Sequence, residues 1–150
     1  MGNIRITYND NTQEFLQVLE KAKVAGLEAI GLTAETHAKK VITEAGAVDT
    51  GLLRNSITYA VAGAPAHVKT YKAHKKKPGE KRFKTYTYEG TADGEPGSAV
   101  YVGTNVVYAR GIETGTHRKA GAVHFLQRAA TEPADKYKRL MKSALENAEK

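Results

Sequence analysis

The sequence predicts an α+β domain: a long N-terminal helix packed on an antiparallel sheet of about four strands, closed by a C-terminal helix. Three observations carry this. An apolar and small-residue stripe at three- and four-residue spacing runs through the first third of the chain. Four short β-branched and aromatic runs follow with no helical pattern between them, and an amphipathic stripe then fills the C-terminus.

The elements follow in order. From Asn11 to Ala45 the stripe is Phe15, Leu19, Ala22, Gly26, Ala29, Ile30, Ala34, Ala38, Val41 and Ala45, one face of a helix. Asn11 with Glu14 is the expected cap and Gly46 the expected stop. At 1.5 Å per residue such a helix is about 50 Å long, against about 30 Å for a small domain. It therefore overhangs its own body, and the excess is bent at Gly26 or Gly31, left in solvent, or packed on another molecule. The last option makes the chain a subunit of an assembly. Leu52 to Ser56 reads as a helical turn capped by Asp49 or Thr50, with Gly51 relieving the backbone. Ile57 to Val61, Val68 to Tyr71, Phe83 to Tyr88 and Ala99 to Gly103 read as strands of one antiparallel sheet, separated by turn residues such as Asp93-Gly94 and Pro96-Gly97. Tyr108 to Thr114 is a short helix ending at Gly115. Phe125 to Ala130, Pro133 and the stripe Tyr137, Leu140, Met141, Ala144, Leu145 and Ala148 complete the chain. No repeat or low-complexity linker divides residues 1–150, so one domain is expected.

Composition narrows the chemistry. The 150 residues include no cysteine, which removes thiolate nucleophiles, Cys-ligated zinc, iron–sulfur clusters and disulfides. No stretch approaches the roughly 18 apolar residues of a membrane span, and residues 1–11 lack the apolar core of a secretory signal. The expectation is a protein that works where it is made, with no membrane contact. The net charge of +7 is local: between Lys69 and Lys84 eight basic residues face one acid, Glu80, and the remainder is neutral. This loop at 69–84, with Lys72, Lys75, Lys76, Lys77, Lys81, Arg82 and Lys84, suits phosphate or an acidic protein surface, and equally a solvated hairpin tip. Tyr71, Phe83, Tyr86 and Tyr88 flank it as stacking residues would, yet alternate with polar residues as strand residues do.

A search for an active site returns nothing. Asp49-Thr50-Gly51 matches the tripeptide of aspartic proteases, in which two chains would share a proton between carboxylates. That chemistry requires a strand-loop of an all-β fold, whereas here a helix precedes the tripeptide and Leu52-Leu53-Arg54 follows. His37, His67, His74, His117 and His124 show no metal-ligand spacing, and His37 reads as a packed, hydrogen-bonded residue. No phosphate-binding loop, dinucleotide fingerprint or serine elbow is present. Catalytic, metal and cofactor residues are accordingly expected to be none.

Four strings remain: Val48-Asp49-Thr50-Gly51-Leu52-Leu53-Arg54-Asn55-Ser56-Ile57; Val100-Tyr101-Val102-Gly103-Thr104-Asn105-Val106-Val107-Tyr108-Ala109; Ile112-Glu113-Thr114-Gly115-Thr116; and Phe125-Leu126-Gln127-Arg128-Ala129. In this order the chain resembles the tail-component family of long-tailed double-stranded DNA phages, typified by gene product ten of the lambda-like phage HK-ninety-seven. Its pattern is Asp-Thr-Gly-x-Leu-x-x-Ser-Ile after a helix, a strand ending Val-Gly-Thr-x-x-x-Tyr-Ala, a Glu-x-Gly-Thr turn, and Pro-Phe-Leu-x-x-Ala opening the last helix. The likeness spans roughly Phe15 to Lys142. The chain departs from it at His124, where the family has Pro, and in the lysine-rich loop, which is insertion-like.

The resemblance implies a non-enzymatic neck or tail-completion protein of a phage or prophage virion, assembled in the bacterial host cytoplasm. It implies a homo-oligomeric ring, hexamer or dodecamer, at the head–tail junction, contacting adjacent head-connector and tail proteins and double-stranded DNA in the channel. Asp49, Thr50 and Gly51 would turn the chain from helix to sheet, Gly103 and Gly115 would allow tight turns, Glu113 would pair with Arg54 or a neighbour, and Phe125 with Leu126 would anchor the last helix on the sheet. The basic loop would line the channel, grip a ring neighbour, or become ordered on assembly. The rival expectation is a basic-loop nucleic-acid-binding protein without a virion role.

Overall fold

A computed structural model of the chain describes residues 10–49, 51–72, 85–116 and 121–148. Helix α1, Thr12–Glu44, is a single element of 33 residues. Its cap is not Asn11, which makes no side-chain capping bond; Asp10 Oδ1 instead accepts the Thr12 amide at 3.0 Å. The stop is as expected. Gly46 adopts φ 60°, its N–H donates to Thr43 O, and the Ala47 N–H donates to Ile42 O, the two bonds of a Schellman ending.

Gly26 and Gly31 do not interrupt α1; they let other elements approach it. A Cβ on Gly26 would lie 2.8 Å from Met141 Sδ, and one on Gly31 would lie 2.5 Å from the Tyr59 ring. The first contact belongs to α5 (Ala134–Ala148), which runs antiparallel along α1, and the second to β1 (Thr58–Val61). The excess length of α1 is left in solvent: residues 12–18 are all exposed.

After α2 (Leu52–Ser56) come β1, β2 (His67–Lys72), β3 (Thr85–Gly90) and β4 (Val100–Gly103), each within two residues of its expected place. They do not form one sheet. β1 pairs antiparallel with β4, Thr58 opposite Gly103 and Val61 opposite Val100. β2 pairs antiparallel with β3, His67 opposite Gly90 and Lys72 opposite Thr85. The second pair is joined to the first by side chains. Tyr59 stacks on His67 at 4.6 Å, and Thr58 Oγ1 lies 2.7 Å from His67 Nδ1. Lys69 reaches from β2 to Glu35 of α1.

The core lies where α1 ends. Ala38, Val41 and Ile42 pack with Leu53, Ile57, Ala109, Val123, Phe125 and Ala129, drawing in α2, α3 (Ala109–Thr114) and α4 (Phe125–Thr131). Phe125 is fully buried there. It therefore anchors α4 mainly on α1, rather than on the sheet as the sequence led us to expect.

Candidate functional site

The four sequence strings, scattered from residue 48 to residue 129, meet at this end of the molecule. A chain of hydroxyls ties the first to the second. The Val106 amide donates to Thr104 Oγ1 at 3.2 Å, Thr104 Oγ1 lies 2.5 Å from Ser56 Oγ, and Ser56 donates to Leu53 O at 2.8 Å. Ser56 is fully buried, so these bonds replace the water its hydroxyl gave up.

Glu113 ties the third to the fourth. Its carboxylate accepts the amides of Leu126 and Gln127, each at 3.0 Å, and so caps the N-terminus of α4 from another helix. A carboxylate there meets two otherwise unpaired donors and the positive end of the helix dipole. No ion pair joins it to Arg54 among the described residues. Backbone bonds from Val123 N to Ile112 O and from His124 N to Glu113 O hold the same two segments in register.

Two positions show why particular residues stand here. His124 precedes α4 with φ 53°, which a proline ring locked near −65° cannot adopt, so the chain's departure from Pro matches its own backbone. Gly115 ends α3 at φ 77°, and a Cβ on it would meet the Ala122 backbone nitrogen at 2.5 Å. Gly103 is different from expectation: it ends β4 with no positive φ and open space around its α-carbon, so no tight turn depends on it.

The first string also lines a half-open cleft of about 300 Å³ with Val48, Asp49, Leu52, Arg54, Tyr108 and Ile112 on its walls. Gly51 is the N-cap of α2 at φ 75°, the left-handed region where glycine carries no Cβ penalty. Thr50 lies outside the described residues. Beside the cleft, the loop between β4 and α3 presents Val107, 96% exposed, and Tyr108, 48% exposed.

The basic loop begins at this end as well. Tyr71, one residue before Lys72, sits beside Ser56; burial holds its phenol above the usual range, opposed by the Ser56 hydroxyl. Tyr71 stacks on Tyr86 across the ladder at 5.6 Å, so these two aromatics pack on each other. The backbone of Lys72 pairs with Thr85; Lys75, Lys76, Lys77, Lys81, Arg82 and Lys84 lie outside the described residues.

Two charged clusters escaped sequence reasoning. Glu35 is buried on α1 with Lys39 and Lys69 both at its Oε1, while its Oε2 has no hydrogen-bond partner among the described residues. Burial lowers the Lys39 pKa, and the hydrogen bond to Glu35 opposes that shift. His37 Nε2 donates to Glu132 Oε2 at 2.6 Å, and Arg128 Nε donates to Glu132 Oε1 at 2.6 Å. His37 is thus the hydrogen-bonded residue that its place on the helix face suggested. Among the described residues no group of three or more His, Asp and Glu is placed to hold a metal ion, and no helix is long and apolar enough to cross a membrane.

Comparison of the chain with family models, with curated proteins and with solved structures gives no match in any of the three.

Proposed function

We propose that the chain is a non-enzymatic virion subunit of a long-tailed phage or prophage, a neck or tail-completion protein that forms a homo-oligomeric ring at the head–tail junction. The observation that carries this reading is the convergence of the four motif strings. Several of their residues hold the strings together: Ser56 meets Thr104, Glu113 accepts the α4 amides, and Gly115 allows the close approach of Ala122. Motif residues used in this way build a scaffold, and what the scaffold displays is apolar surface at Val107 and Tyr108. Exposed apolar groups on an ordered frame are characteristic of assembly surfaces. Phe15, Leu16 and Val18, exposed near the start of α1, add a second such surface.

In this reading the neighbours are head-connector and tail proteins, and double-stranded DNA passes through the ring. The basic loop supplies positive charge for the DNA or for an acidic neighbour. Light scattering across a concentration and salt series tests the proposal alongside a variant with Lys75, Lys76 and Lys77 changed to alanine. A mass of about six or twelve copies supports it. A monomer that binds duplex DNA steeply less as salt rises, and loses that binding in the triple variant, favours the nucleic-acid-binding reading instead.

A further inference from the structure

Two strand edges stand open, one in each strand pair. In the β1–β4 pair the Ala62 amide donates to Ala99 O at 3.0 Å. By the alternation of an antiparallel ladder, residues 99, 101 and 103 turn their backbone groups toward β1, and the N–H and C=O of Val100 and Val102 point to the outer edge of β4. Among the described residues no strand pairs with that edge and no backbone hydrogen bond reaches it. The outer edge of β1, by contrast, is closed: a Cβ on Gly90 would lie 2.9 Å from Tyr59 O, and the Tyr59 ring stacks on His67. In the other pair β2 lies against α2, and its Lys69 reaches Ile57 O at 3.5 Å. The open edge there is that of β3.

Neither edge is guarded. Proteins protect open edges with charge, proline or a bulge. The run from Gly97 to Ala109, which contains β4, has no charged residue in a chain that is 26% charged. Tyr101, inside β4, is 55% exposed. Thr85, Tyr86, Thr87 and Tyr88 give β3 high strand propensity, with its one charge at Glu89. Its threonines are exposed and its tyrosines half-buried. Lys69 and Lys72 belong to β2, on the far side of β3 from this edge.

We infer that the β4 edge of one copy pairs with the β3 edge of the next, so that the outward backbone groups of Val100 and Val102 bond between copies and the strands continue from subunit to subunit. This rests on the ring-forming reading and assigns its contact. The occupant follows from the edges themselves. Pairing β4 with β4, or β3 with β3, about a twofold axis leaves the other edge of both copies bare. Pairing β4 with β3 covers both, and such a head-to-tail contact is the type that closes into a ring.

Residue-resolved amide exchange reads the contact directly. In dilute protein the Val100 and Val102 amides are expected to exchange at least about tenfold faster than that of Tyr101, which faces β1, and to slow to match it in the assembly. The absence of native cysteine allows a second readout. Tyr101→Cys is mixed with variants carrying Cys at each residue from Thr85 to Glu89 in turn, which covers the possible registers. Under mild oxidation at least one mixture is expected to give disulfide-linked dimers that neither variant gives alone. Tyr101→Lys, with its fold checked by circular dichroism, is expected to weaken assembly about tenfold or more. Crosslinked dimers from Tyr101→Cys alone, or from one β3 variant alone, would establish a twofold contact and overturn the inference. Rings without the mixed crosslink, and with the Val100 and Val102 amides still exchanging fast, would overturn the assigned edges and leave the ring reading standing. Mixed crosslinks without closed rings would uphold the edges and remove the ring; no ring and no crosslink at any concentration would remove both.

Discussion

Replacing Glu113 by alanine removes the acceptor of two helix-terminal amides at once. Both bonds are 3.0 Å long and both are to a charged oxygen. A lost N-cap costs about 1 kcal/mol, and a partly buried donor left without a partner adds about another, for a total of about 2 kcal/mol. Leu126, which carries one of the amides, is half-buried, so water replaces the carboxylate only partly. At about 2–4 °C per kcal/mol for a chain of this length, the melting midpoint should fall by about 4–8 °C. Glu113→Gln keeps one carbonyl acceptor and should lose about half as much. Glu146→Ala, which removes an exposed ion pair with Lys142 at 3.7 Å, is the control and should shift stability by less than about 0.5 kcal/mol. Thermal unfolding followed by circular dichroism measures all three. A Glu113→Ala midpoint within about 1 °C of the parent would refute the assignment of this residue as the α4 cap.

Gly115→Ala places a Cβ 2.5 Å from the Ala122 nitrogen at a φ of 77°, and should cost about 2–4 kcal/mol in urea unfolding. Glu35→Gln leaves the Lys39 and Lys69 ammonium groups around a neutral amide; because those lysines retain about a quarter of their side-chain exposure, the expected loss is about 2 kcal/mol rather than the 3–5 of a fully buried pair. Glu132 has its pKa lowered from 4.5, first by the Arg128 hydrogen bond and then by that of His37. Its stabilising contribution is therefore present above pH 4.5 and lost as pH falls through the lowered folded-state value. Carbon-13 titration of its carboxyl should show a midpoint below 4.5, moving upward in Arg128→Ala.

What the sequence made legible was local. Periodicity located α1, and the Gly46 stop and Gly115 ending followed from single residues whose backbone needs are set on the spot. What it hid was contact between distant segments. Glu113 read as an ion-pairing residue because its partners are backbone amides 13 and 14 residues on, which have no side-chain signature. Glu35, adjacent to the Ala34–Ala38 stripe, carried no signal of its own, because its partner Lys69 lies 34 residues away. A bend at Gly26 or Gly31 stayed one of three alternatives, because a sequence does not show that Met141 and Tyr59 press on them. The split of the expected sheet has the same origin: alternation identifies strands, while which strand pairs with which depends on the side chains between β1 and β2. The candidate site was legible as strings, and its convergence only as structure. The lysine cluster was legible in charge alone, since most of it lies outside the described residues.

The central claim is a closed ring of this chain, and electron microscopy of the purified protein at assembling concentration tests it most directly. End-on views of a closed ring of about six or twelve copies around an open bore are the expected result. Uniform monomers or closed twofold dimers at every concentration would contradict it.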